Sequence, residues 1–175
     1  VNDALHPLRD AGSVQRYHTT RTHRRQTIAE HSWGVATLLM MVCDNPPARL
    51  LGAALLHDVP EVITGDVPAP AKWRSKPLTD ALAELEAEWM ATFKMEFPEL
   101  DEAEARLLKW ADSIELVLWC LEEVEMGNWP MLALAQRGHD HAALCVAKGL
   151  PPRAVALHND TAARLARQHH ARGQA

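Results

Sequence analysis

The sequence predicts an all-α fold, a compact bundle of six or seven helices, on three observations. Apolar residues recur at three- and four-residue spacing through most of the long segments. Clusters of proline, glycine and asparagine interrupt those segments at intervals that suit globular helices. No stretch keeps the alternation of a half-buried strand, and no internal repeat is present.

Residues 3–11 read as a short first helix that Pro7 starts or interrupts. The stretch GSVQRYHTTRTHRRQ, 12–26, has little periodicity and many hydrogen-bond donors, and reads as an ordered loop. A helix over 27–43 begins with a capping box, Thr27 as N-cap and Glu30 three residues on. Ile28, Val35, Leu38, Leu39 and Val42 give it an apolar stripe, and Asp44, Asn45, Pro46 and Pro47 stop it. The next helix, 46–57, is nearly all alanine and leucine on its inner turns. Pro60 lacks an amide hydrogen and clashes with the carbonyl four residues back, so this helix ends or kinks near Val59. VITGDVPAPAKW, 62–73, is expected to be a constrained loop.

Helical spacing returns over 75–93 with Leu78, Leu82, Leu85, Trp89 and Phe93, expected in a core or an interface. Pro98 breaks it. A long helix over 100–126 follows, with Glu99, Asp101 and Glu102 where negative charge suits the helix dipole. It carries Leu107, Leu108, Ala111, Ile114, Leu118 and Leu121, and Asp112 lies in its middle. Gly127, Asn128 and Pro130 form a turn. Helices over 131–147 and 153–169 complete the chain, separated by Gly149, Pro151 and Pro152.

The 175 residues, 47% hydrophobic and 23% charged, suit one domain, 1–175, with a sizeable core. A formal charge of −5 argues against a nucleic-acid polymer as partner. Arg16, Arg21, Arg24 and Arg25, with His18 and His23, nevertheless form a local basic run, read either as a solvated loop or as a phosphate-sized anion site. Cys43, Cys120 and Cys145 are odd in number and form no CxxC pair, which predicts free thiols and a cytoplasmic setting. No apolar stretch reaches membrane-spanning length, and no basic-then-apolar leader opens the sequence.

Chemistry concentrates in LLHDVPEVITGD, 55–66, where His57, Asp58, Glu61 and Asp66 follow a helix expected to be buried. Charge is costly to bury unless paired or coordinated. His31, His57, Asp58 and Asp112 offer two imidazoles and two carboxylates, a donor set suited to zinc, cobalt, manganese, iron or nickel. Taken singly, His31 also reads as a hydrogen-bonded core histidine and Asp112 as a solvated partner of Lys109. If a helical turn survives Pro60, His57 and Glu61 share a face.

AEHS at 29–32, HDVPEVITGDVPAPAK at 57–72, LLKWAD at 107–112 and LEEVEMGN at 121–128 resemble the HD-domain metal phosphohydrolases, and more closely the YfbR-like 5′-deoxynucleotidases. The likeness runs from Val14 to about Gly138. It implies an HD-domain helical bundle in which His31, His57, Asp58 and Asp112 hold one divalent metal ion. It further implies that Glu61 is needed for catalysis and that Asp66 helps place or activate the attacking water. Arg16 and Tyr17 fall at the family's Arg-Trp pair, where the arginine contacts phosphate and the ring crowds the ribose 2′ position; tyrosine here is a departure. Arg21 and Lys72 are further expected phosphate contacts.

The resemblance implies a small-molecule deoxynucleotide substrate, a 2′-deoxynucleoside 5′-monophosphate first, and a homodimer or larger homo-oligomer. Trp89, Phe93, Trp119 and Trp129 are read as belonging to such an interface or to the core. Small phage relatives that act as deoxynucleotide triphosphohydrolases, with dATP preferred, supply the alternative. A non-catalytic helical metal- or nucleotide-binding protein would need the apolar stripes without the convergent donors and Glu61, and a cyclic-nucleotide or alarmone hydrolase would need no Arg16–Tyr17 arrangement.

Overall fold

α6, Glu102–Glu125, is the axis of the molecule. Asp101 caps it, accepting from the Glu104 amide while the Glu104 carboxylate accepts from the Asp101 amide, a capping box beside the expected acidic turn. A computed structural model describes the backbone of residues 2–174 and the side chains of 6–72 and 74–174.

Around α6 stand α1 (Asn2–Ala11), α2 (Ile28–Val42), α3 (Ala48–Leu56), α4 (Ala69–Arg74), α5 (Lys76–Thr92), α7 (Met131–Ala147) and α8 (Pro152–Gln174). A 3₁₀ turn, Val59–Val62, follows α3. Among the described residues there is no β-strand, only one antiparallel bridge, Gln15 to Thr27, which closes the early loop. The all-α reading holds, with eight α-helices where six or seven were expected. The extra helix is α4, inside the segment read as a loop: Pro68 and Pro70 sit at its start, where proline's fixed φ and missing amide suit a first turn.

α6 packs on α2, α3, α7 and α8. Trp110, Ala111, Ile114 and Val117 of α6 are fully buried, as are Leu39 of α2, Leu50 of α3 and Leu132 of α7. Each such leucine contributes roughly 1.5–3 kcal/mol by leaving water. The α6–α7 seam is tight because Gly138 lacks a side chain: a Cβ there would lie 2.7 Å from Leu116 Cδ2 and 3.0 Å from Val117 Cγ2. Trp119 is buried and Trp129 packs against the core, so these two serve the interior. α5 differs. Of its expected stripe only Leu82 is buried, Leu85 is exposed, and Trp89 and Phe93 pair with each other at 5.0 Å between ring centroids.

Candidate metal centre and active site

Helix α2 starts where the capping box predicts, with Thr27 as N-cap, and the register places His31 on the face turned to α6. Its ring is fully buried. α3 ends at Leu56, so His57 occupies its C-cap and Asp58 the residue before the 3₁₀ turn. Asp112 comes from the middle of α6. Side-chain donor atoms of His31, His57 and Asp112 all lie within 4.8 Å of one another.

The two histidines present the same nitrogen to this point. His57 Nδ1 lies 2.8 Å from the Ala54 carbonyl, and His31 Nδ1 is in close contact with the Glu115 carboxylate. An acceptor at Nδ1 requires the proton there and leaves Nε2 with a free lone pair. His31 Nε2 stands 3.2 Å from Asp112 Oδ1 and 3.6 Å from Asp58 Oδ2. His57 Nε2 stands 3.5 Å from Asp58 Oδ2 and 4.0 Å from Asp112 Oδ1. Both Nε2 atoms are buried without a hydrogen-bond partner.

Unpartnered buried nitrogens beside two carboxylates fit one divalent cation, and nitrogen–oxygen sets of this kind suit several first-row metals. With no cation between these groups, the Asp112 carboxylate draws a proton onto His31 in its place. Burial and the Arg16 charge oppose protonation of His31, yet Asp112 and Glu115 push it up to about 9. Burial also opposes ionisation of Asp112, but His31 at 3.2 Å, the Lys109 charge and the His57 charge hold it well below the usual carboxylate range.

A cavity of about 230 Å³ opens beside this centre. Asp58, Glu61, Asp66 and Asp112 supply its acidic wall, and Arg16, Lys72, Lys109 and Arg137 its cations, with His141 at the rim. Glu61 is buried because Pro60 turns the chain into the 3₁₀ turn that carries it inward. Its Oε1 accepts from Lys72 Nζ at 3.0 Å, while Oε2 has no partner. Burial raises the Glu61 carboxyl, Asp58 raises it further, and Lys72 lowers it, leaving a value of about 7.

Asp66 lines the same cavity and accepts the Tyr17 amide at 3.2 Å. Tyr17 has φ 56°, the left-handed region that a residue with a Cβ rarely adopts, so the Asp66 bond holds a strained turn. That turn directs Arg16 into the cavity and lays the Tyr17 ring on Trp119, stacked at 4.4 Å and outside the cavity lining. Burial opposes the Arg16 charge, but Tyr17 and the carboxylates of Asp58, Glu115 and Asp112 outweigh it, so the guanidinium stays charged.

The rest of the basic run points elsewhere. Arg21 is exposed and contributes its carbonyl to Asn128. Arg24 pairs with Glu122 at 2.8 Å, and the fully buried Glu123 accepts the amides of His23 and Arg24. Arg24 and Arg25 line a separate groove of about 650 Å³ between α2 and α6, away from the metal donors. Sequence reasoning passed over Arg137 and His141, which reach the cavity from α7, and over Gln26 and Glu115. For Glu115 a signal existed: it lies one turn beyond Asp112 on the same face of α6.

A family model described as 5′-deoxynucleotidase YfbR-like matches residues 5–139. The 5′-deoxynucleotidase VV1113 of Vibrio vulnificus is 30% identical over 150 residues, 73% of this chain and 77% of that protein. A dATP triphosphohydrolase of Salmonella phage PMBT28 is also 30% identical, over 77% of this chain and 75% of its own length. The HD phosphohydrolase DatZ of cyanophage S-2L, solved with dA and one catalytic Zn²⁺ ion, shares the fold at a TM-score of 0.60 and 22% identity, covering 93% of this chain and 94% of that one. With the family model spanning most of its length and the donor residues assembled at one centre, this chain belongs to the YfbR-like 5′-deoxynucleotidase family.

Proposed function

We propose that this protein hydrolyses 2′-deoxynucleoside 5′-monophosphates to deoxynucleosides and inorganic phosphate, using one divalent metal ion held by His31, His57, Asp58 and Asp112. One observation carries the reading: two unpartnered imidazole nitrogens stand beside two carboxylates that line a cavity whose other walls bear four cations. When bound there, the ion supplies Lewis-acid polarisation of a phosphoryl oxygen and makes a nearby water more acidic.

The chain's own groups supply the remainder. Glu61, with a carboxyl at about 7 and an unpartnered oxygen, is matched to neutral pH as the base that takes a proton from water. Oxygen adds to phosphorus, the bond to the 5′ oxygen breaks, that oxygen takes up a proton from solvent, and the deoxynucleoside departs. Arg16 offers a planar fork to the phosphate oxygens, and Lys72, Lys109 and Arg137 add charge around them. Asp66 acts on this arrangement through the Tyr17 amide, keeping Arg16 aimed. The Vibrio relative's name supports the deoxy monophosphate as substrate.

Incubating metal-replete protein with single dNMPs, NMPs and dNTPs and identifying the products tests this. Phosphate from dNMPs supports the reading. Tripolyphosphate from dATP supports the alternative, favoured by the phage relative and the number of cations. Turnover of neither overturns both and leaves a binding protein.

Lys72→Met is expected to move the acid limb of the kcat–pH profile to higher pH. Lys72 lowers the Glu61 carboxyl by charge and hydrogen bond, so removing it raises Glu61 and delays formation of the base. A limb that stays in place removes Glu61 as the titrating group.

A cytoplasmic setting is supported by three free cysteines, and no helix among the described residues is long and apolar enough to cross a membrane. Self-association is supported by Trp33, Met40 and Met41, exposed together on α2, and sedimentation equilibrium measures it.

A further inference from the structure

Glu115 is a buried carboxylate that the chemistry above does not use, and it touches both halves of the site. It meets Nδ1 of His31 on one side. Its Oε1 accepts from Gln26 Nε2 at 2.7 Å, and Oε2 lies 3.5 Å from Arg16 Nη1. Arg16 Nη1 also donates to Gln26 Oε1 at 3.3 Å, closing a ring of three side chains to which His31 is joined through Glu115. Glu115 follows Asp112 by one helical turn on α6, and opposite it on α2 Gly34 follows His31 by one turn. A Cβ on Gly34 would stand 2.8 Å from Glu115 Cγ and 3.1 Å from Oε1. The missing side chain at Gly34 is what gives the carboxylate room to reach the imidazole.

We propose that Glu115 is the positioning residue of this site, a single carboxylate that sets the metal-facing nitrogen of His31 and the place of Arg16 together. By accepting the Nδ1 proton it fixes the tautomer that turns the Nε2 lone pair toward Asp58 and Asp112, and it orients the ring. Its second task is to hold Arg16, so the distance between metal centre and phosphate fork is set through one group. The inference rests on reading His31 as a metal ligand and Arg16 as a phosphate contact. A glutamate serving only to neutralise buried Arg16 would affect folding and leave metal affinity alone.

Titrating metal-free protein with Co²⁺ and following its visible absorption separates the two roles. Glu115→Gln is expected to weaken Co²⁺ binding by about 10–100-fold. The amide can donate to Nδ1, which reverses the tautomer and turns an N–H toward the metal donors. In steady-state assays KM for the monophosphate is expected to rise as well, because Arg16 loses its anchor. Gly34→Ala keeps every charge and crowds the same carboxylate, so it is expected to weaken Co²⁺ binding in the same direction. Combined with Glu115→Gln it adds less than its separate effect, since both act through one contact. Wild-type protein that binds Co²⁺ alongside variants within about twofold of it overturns the inference alone. Wild-type protein that binds no Co²⁺ overturns the ligand reading beneath it, and the inference with it.

Discussion

Asp112→Ala is expected to lower turnover of deoxynucleoside monophosphates by about three orders of magnitude and to reduce bound metal well below one ion per chain. Asp112 Oδ1 is the carboxylate oxygen nearest to His31 Nε2, at 3.2 Å, and the same side chain is held ionised by Lys109 and both imidazoles. Removing it takes away a donor and the negative charge that offsets any cation placed between the histidines. Lewis-acid stabilisation of a phosphoryl transition state amounts to several kcal/mol, and each 1.36 kcal/mol is tenfold in rate. The fold should survive, because alanine is the better helix former at a mid-helix position. Elemental analysis after dialysis, together with phosphate release, checks the outcome. A variant that retains one ion per chain and wild-type turnover takes Asp112 out of the ligand set.

Glu61→Gln is expected to cut kcat by about 10²–10⁴-fold, the usual worth of a positioned general base, while metal content stays at the wild-type value. Glutamine keeps the size of the side chain and can still accept from Lys72, so the 3₁₀ turn and the Lys72 contact at 3.0 Å have no steric reason to move. What disappears is a basic oxygen aimed into the cavity without a partner. The pH profile supplies the second readout. In the wild type the acid limb belongs to a carboxyl at about 7, and a bound dication draws it lower, because positive charge favours the ionised form. In the glutamine variant that limb is absent. Retained turnover with an unchanged limb assigns the base elsewhere, with Asp66 the remaining acidic group on that wall.

Local features translated from sequence to structure with little loss. The Thr27–Glu30 capping box set the start of α2 and thereby the register of His31. Pro60 ended α3 where proline chemistry requires, so His57, Asp58 and Glu61 occupy three distinct backbone settings within five residues. α4 was missed because Pro68 and Pro70 read as loop formers, although proline also suits a first helical turn. The stripe of α5 read as core or interface, and within the chain only Leu82 of it is buried, because periodicity reports that one face is apolar and is silent on what covers it.

The site divides along the same line. Residue types, spacing and the order of the four motifs are local properties, and they sufficed to identify the family and to single out His31, His57 and Asp112, whose donor atoms the fold brings together. Side-chain direction is not local. The ring of Tyr17, a residue with left-handed backbone, stacks on Trp119, a contact that no local pattern announces. Arg21 belongs to the same basic run as Arg16, and only Arg16 lines the cavity. The Arg16–Glu115 pair joins residues 99 positions apart, and the His31–Glu115 pair residues 84 apart. The His31–Glu115 pair exists because α2 crosses α6 closely at Gly34, and that crossing distance follows from the packing of both helices against α3 and α8. The sequence by itself therefore determined the all-α class, the start of α2 and the end of α3 that set the backbone of the candidate metal donors, and the family. Tertiary structure alone decided which basic groups meet those donors and which buried carboxylate orients them, because helix packing, not chain order, sets the neighbours of a side chain.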